Sequence, residues 1–128
     1  MLQTKKQLTL EEFLALPEGD VTYELVDGEV IPKMSPKFFH SRLTKALLRL
    51  LEDWGEDKGE VGIEWAVVLT RQGKSWVPTP ELLYISHQRL APDWMENEAC
   101  PVPPELVIEI ISPGQTFGQL AAKARDYL

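Results

Sequence analysis

The stretch Pro103-Pro104-Glu105-Leu106-Val107-Ile108-Glu109-Ile110-Ile111-Ser112-Pro113 constrains the fold of this chain more than any other. Prolines bracket a short run that, apart from Glu109, consists of leucine, valine, isoleucine and serine. Such a run reads as a strand buried on both faces, the central strand of a sheet. Glu109 in its middle is then a physical problem. An ionised carboxylate there is costly unless it is paired, hydrogen-bonded or bound to a cation. Either a lysine or arginine partner or a metal ion is therefore expected beside it, and the run alone does not choose between them.

The rest of the chain has to supply that partner within one domain, because 128 residues suffice for a single core. No apolar segment has the length of a membrane span or the layout of a signal peptide, so a soluble cytoplasmic protein with no membrane partner is expected. Cys100 is the only cysteine, which excludes an internal disulfide and a cysteine-based structural zinc site. A net charge of -7 argues against indiscriminate coating of nucleic acid, which depends on cationic contacts to phosphate. The charge is unevenly spread. From Lys33 to Arg49 there are five cations, Lys33, Lys37, Arg42, Lys45 and Arg49, with His40 among them and no acid. This run is either one solvated helix face or a phosphate-contacting surface.

Along the chain, Thr9-Leu10-Glu11-Glu12 has the form of a capping box and predicts a short helix to about Leu16, ended by Pro17. Asp27-Gly28 between two β-favouring runs predicts a hairpin that sets Glu24 opposite Ile31. Ser35-Pro36 predicts the start of a long helix, with Phe39, Leu43, Ala46, Leu47, Leu50, Leu51 and Trp54 as its buried stripe and Gly55 as its end. Alternation from Glu60 to Leu69 predicts one strand of about ten residues. A turn at Arg71-Gln72-Gly73-Lys74 and a second strand, entered through Pro80-Glu81, follow. Ser86 to Glu98 reads as a loop. After Ser112-Pro113-Gly114, a helix is predicted with Phe117, Leu120, Ala121, Ala124 and Leu128 on one face and Lys123 beside it, and its pattern still runs at the last residue.

Glu24, Glu81, Glu109 and Lys123 thus come from separate elements. Two carboxylates on neighbouring strands with a main-chain carbonyl form a plausible open site for a hard cation, and a lysine alongside can orient a water. Spacing alone makes this a weak pattern. However, several stretches in order resemble the motifs of the bacterial Uma2 family: Leu8-Thr9-Leu10-Glu11-Glu12-Phe13-Leu14-Ala15-Leu16-Pro17, Tyr23-Glu24-Leu25-Val26-Asp27-Gly28-Glu29, His40, Pro80-Glu81-Leu82, Pro104 to Pro113, and Lys123-Ala124-Arg125-Asp126-Tyr127-Leu128. That family is assigned to the restriction-endonuclease-like superfamily with its PD-(D/E)xK pattern, and the resemblance covers nearly the whole chain.

The resemblance implies an α+β (α/β-like) fold, a mixed central β-sheet flanked by helices, spanning residues 9–128 after a tail at 1–8. It implies a DNA endonuclease dependent on Mg2+ (or Mn2+). Glu81 matches the acid of the "PD" element, Glu109 that of the central strand and Glu24 that of the first hairpin. The lysine that many superfamily members carry two residues after the last acid is Ile111 here, and Lys123 matches the family's displaced lysine. By this resemblance Glu81, Glu109 and the carbonyl of Ile110 hold the metal, Lys123 positions the water, and Glu24 serves a second metal or the lysine. Lys37, His40, Arg42, Lys45 and Arg49 are the candidates for DNA backbone contact. Two departures stand out: Glu81 replaces the family's usual aspartate, and the further strands that normally follow are lacking, so either a homodimer or an inactive domain is expected. The alternative function is accordingly a catalytically inactive nuclease-fold module for interaction or DNA binding. A third reading is a structural domain in which Lys123 and Glu109 form a buried ion pair.

Overall fold

In the computed structural model, which describes residues 7–17, 19, 21–33, 36–112 and 114–128, the elements run in the order α1 (Leu10–Leu14), β1 (Tyr23–Val26), β2 (Glu29–Pro32), α2 (Phe38–Gly55), β3 (Gly59–Ile63), β4 (Leu69–Arg71), β5 (Lys74–Trp76), β6 (Leu82–Ser86), β7 (Leu106–Ile108) and α3 (Phe117–Tyr127). The fold class is the α+β arrangement expected. Among the described residues every paired strand is antiparallel, and one isolated parallel bridge joins Val67 to Cys100.

Local sequence chemistry accounts for the turns. Thr9 caps α1 reciprocally with Glu12, as a capping box requires, and the helix ends at Leu14, earlier than Leu16. Asp27 and Gly28 both take positive φ, 52° and 80°, the pattern of the two-residue turn whose twist suits a hairpin, and Glu24 pairs with Ile31. Gln72 and Gly73 repeat this device between β4 and β5, at 50° and 75°. Ser35, expected to start this helix, lies outside the described residues; Pro36 precedes the helix, and α2 begins at Phe38 with Lys37 as its N-cap.

The main sheet has the order β3-β6-β7, so β6, not β7, is its central strand. All five residues of β6 are buried. This corrects the reading of Leu106–Ser112: β7 is three residues long, pairs only with β6 among the described residues, and leaves Leu106 exposed. The ten-residue strand also breaks in two. Glu64 adopts φ 46°, and its N–H bonds to the carbonyl of Glu81, so the chain leaves the sheet after Ile63 and re-forms as β4 in a separate hairpin. Alternation continues through the bend because Val67 packs back on the same sheet, against Leu83 and Ile85 of β6 and Cys100.

On α2 the residues turned inward are His40, Thr44, Leu47, Leu48, Leu51 and Gly55, one position on from the expected stripe. Gly55 lies against the Tyr84 ring, where an added Cβ would come within 3.4 Å of Cε2. His40 ties the helix to Glu81 at 3.1 Å, and Thr44 bonds back to the His40 carbonyl within the helix at 2.8 Å. Similarly, α3 buries no residue, and Phe117 and Leu128 on its expected apolar face are exposed. Its contacts are made instead by Lys123, Asp126 and Tyr127.

Candidate active site

Four short elements bring the acids together. Glu24 is on β1, Glu81 lies immediately before β6, Glu109 follows β7, and Lys123 projects from α3. They line one groove of about 550 Å³ together with Lys33, Arg71 and Trp76. The sheet explains the convergence: Leu82 pairs with Ile108, so the residue entering β6 and the residue leaving β7 occupy the same end of adjacent antiparallel strands. The carboxylates are therefore neighbours by register.

Each acid has its own partners. Glu24 accepts from the Thr79 amide at 2.6 Å and from Lys123, whose Nζ is 3.1 Å from both carboxylate oxygens. Lys123 also lies 2.8 Å from Oε1 of Glu109. That same oxygen accepts from the Tyr127 hydroxyl at 2.7 Å, so two residues one helical turn apart grip Glu109. Glu81 presents Oε1 to His40 Nε2 at 3.1 Å and to Lys33 Nζ at 3.5 Å, while Oε2 accepts from the Ile110 amide at 3.1 Å.

The electrostatics follow from burial and the pairing of like charges. Burial, then contact with Glu81, pushes the Glu109 carboxyl up to about 7 against the opposing pull of Lys123. Burial also disfavours ionisation of Glu81, but the Glu109 proton, Lys33, the Ile110 amide and His40 outweigh it and hold its carboxyl below the ordinary value. The two environments push apart, so one carboxyl of the pair is ionised and the other keeps a proton near neutrality. Burial works against the charge of Lys123, yet Glu109 and Glu24 together keep its ammonium above the ordinary lysine range. The Tyr127 hydroxyl is held neutral by burial and by Glu109.

Two adjacent buried carboxylates that share a proton form a hard-oxygen donor set in need of positive charge, and such a pair suits Mg2+ or Mn2+. Among the described residues no group of three or more His, Cys, Asp and Glu side chains is arranged to hold a metal ion, so any cation here would depend on the two carboxylates, main-chain oxygen and water. Ile110 contributes its amide to Glu81 in this geometry.

Of the expected DNA contacts, Lys37, Arg42, Lys45 and Arg49 are exposed on α2, and Arg42, Lys45 and Arg49 line a shallow depression with Phe38. His40 behaves differently: its side chain is only 8% exposed and faces Glu81. Sequence reasoning assigned no role to Thr79, Arg71 or Tyr127, and it placed Lys33 in the basic run, whereas its ammonium faces Glu81 at 3.5 Å. Tyr127 was within reach, since it stands four residues after Lys123 on one helix face. Arg71 joins Asp126 of α3 at 2.8 Å and Asp27 of the first hairpin at 3.0 Å, and thereby docks the helix that carries the lysine. A separate hollow of about 580 Å³, lined by Trp65, Trp94 and Met95 among others, contains none of the acids of this site.

Residues 10–128 match the family model Uma2, described as "Putative restriction endonuclease". No curated protein matches the chain. Among solved structures it is similar to a chain from Anabaena variabilis described as "a putative nuclease belonging to DUF820", with a TM-score of 0.78 and 22% identity over 94% of this chain and 68% of that one. That likeness shows that the two chains share a fold. No helix among the described residues is long and apolar enough to cross a membrane.

Proposed function

The chain belongs to the Uma2 family, and from that premise we propose that it is a divalent-metal-dependent endonuclease that hydrolyses phosphodiester bonds in DNA. The observation that carries this reading is the buried Glu81–Glu109 pair with Lys123 against it. Glu81, Glu109 and the carbonyl of Ile110 would hold Mg2+ or Mn2+. When bound, such a cation polarises a phosphoryl oxygen and makes water a better nucleophile.

The remaining work falls to the protein's own groups. Lys123 stays protonated, so it acts as a donor that orients water or neutralises a phosphate oxygen, and not as a base. Glu24 and Tyr127 fix Lys123 and Glu109 in place. His40 and Lys33 hold Glu81, whose extra methylene relative to aspartate is accommodated by contacts to both of its oxygens. Lys37, Lys45 and Arg49 supply backbone contacts that position DNA without reading its sequence.

A catalytically silent nuclease-fold module is the second reading. The 2.8 Å Lys123–Glu109 ion pair favours it, because this pair already neutralises one of the acids. Incubation of supercoiled plasmid with the protein separates the two. Nicking that requires Mg2+ or Mn2+ and stops with a chelator is expected from the endonuclease, whereas intact plasmid with either metal overturns it.

A further inference from the structure

The apolar stripe expected to bury α2 is left largely in solvent. Phe39 is 82% exposed and Leu50 67%, and Leu43 and Trp54 are about half exposed, although Trp54 also meets Tyr84 edge-on. At about 100° per residue, Phe39, Leu43, Ala46, Leu50 and Trp54 fall within an arc of about 80° on one flank of the helix. The inward face carries His40, Thr44, Leu47, Leu48, Leu51 and Gly55, and the stripe lies beside it. Lys58 reaches over the Trp54 ring at 4.7 Å, and along Phe39, Leu43 and Leu50 the flank stays exposed. A contiguous apolar patch of this kind marks an interaction surface.

Its order along the helix is close to palindromic. Read in either direction it runs large aromatic, leucine, small residue, leucine, large aromatic, centred at Ala46–Leu47. Two such helices packed antiparallel would set Phe39 against the partner's Trp54 and Leu43 against the partner's Leu50, with Ala46 at the crossing, where a small side chain permits close approach. Charge follows the same symmetry. Arg42 and Asp53 border the stripe on its solvent side, one toward each end, so antiparallel pairing brings Arg42 to the partner's Asp53 twice, whereas parallel pairing stacks like charges.

We infer that the flank of α2 formed by Phe39, Leu43, Ala46, Leu50 and Trp54 is the interface of an isologous dimer, with α2 packed antiparallel against α2 of a second copy. An 18-residue helix is about 27 Å long, and one flank offers less than the ~800 Å² that each partner buries in a tight complex, so the association should be micromolar.

Sedimentation velocity on the full chain, from about 1 to about 300 µM, tests this. A concentration-dependent dimer is expected, and Leu50→Asp should weaken it at least ~30-fold with an unchanged circular dichroism spectrum. Arg42→Asp and Asp53→Arg should each weaken it, and the double variant should recover dimer formation. That recovery cannot come from a general folding defect. A wild-type monomer at the highest concentration, which would leave the stripe to a partner of another kind, overturns the inference. So does a dimer indifferent to Leu50→Asp, or a double variant no better than either single change.

Discussion

Replacing Lys123 with methionine should reduce DNA cleavage by roughly 100-fold or more, the loss typical of a positioned proton donor or charge stabiliser. The same change should lower stability. Lys123 is the cation between Glu24 and Glu109, at 3.1 Å and 2.8 Å, and its removal strands two largely buried carboxylates. Breaking a buried pair on one side costs about 3–5 kcal/mol, and because Lys123 is 24% exposed the lower part of that range or less is expected. Adding Glu24→Gln to Lys123→Met should therefore restore part of the stability and none of the activity. Single-turnover nicking and urea denaturation of the single and double variants check both halves. A Lys123→Met protein that cuts at the wild-type rate would remove the lysine from the mechanism.

Glu109→Gln should make the protein more stable above about pH 8 while cleavage is lost. The sign follows from proton binding. Burial and Glu81 raise the Glu109 carboxyl from 4.5 to about 7, so between those values the folded state binds more protons than the unfolded state. The stability associated with that proton is complete below pH 4.5 and is lost as the pH rises through 7, by an amount on the order of 3 kcal/mol. Glutamine copies the protonated carboxyl without this loss and can still accept from Tyr127 and Lys123. The variant's advantage should therefore be about 1–3 kcal/mol at pH 8 and should vanish near pH 4.5. Thermal unfolding of both proteins across this pH range measures it, and an advantage independent of pH would contradict the assignment of the shift to Glu109. A residue that destabilises the neutral-pH fold is what a site keeps for function.

How much of this was legible in the sequence depended on the range of the interactions involved. The capping box at Thr9 and the hairpin at Asp27-Gly28 were read correctly, including the Glu24–Ile31 register, because both are set by residues within a few positions of each other. The strand entered at Pro80-Glu81 was also legible, although its place at the centre of the sheet was not. Centrality belongs to pairing between distant segments, and Leu106–Ser112 imitated it through composition alone. The break at Glu64 left no mark because both sides of the bend remained apolar on alternate residues. On α2 and α3 the largest hydrophobic side chains suggested one face, while His40, Lys123 and Tyr127 fixed another. Polar contacts made across elements, which apolar periodicity does not register, helped set the inward faces of both helices.

The site itself was legible as a set of residues only through resemblance. Glu24, Glu81, Glu109 and Lys123 lie up to 99 positions apart, and no local spacing links them. The contacts of Lys33, Thr79 and Arg71 were hidden for the same reason: each is made across elements, from the segment after β2, the approach to β6 and the end of β4. The awkward acid of the apolar run has one of the partners that its burial called for, a lysine in direct contact at 2.8 Å.

Calorimetric titration with Mn2+ tests the cation directly, without requiring a DNA substrate. The Glu81–Glu109 pair should bind Mn2+ with proton release near pH 7, and Glu81→Gln and Glu109→Gln should each weaken binding by at least ~10-fold, as expected when one ligand of a sparse site is lost. Absence of binding to the wild-type chain, or equal binding to both variants, would contradict a metal centre at this pair.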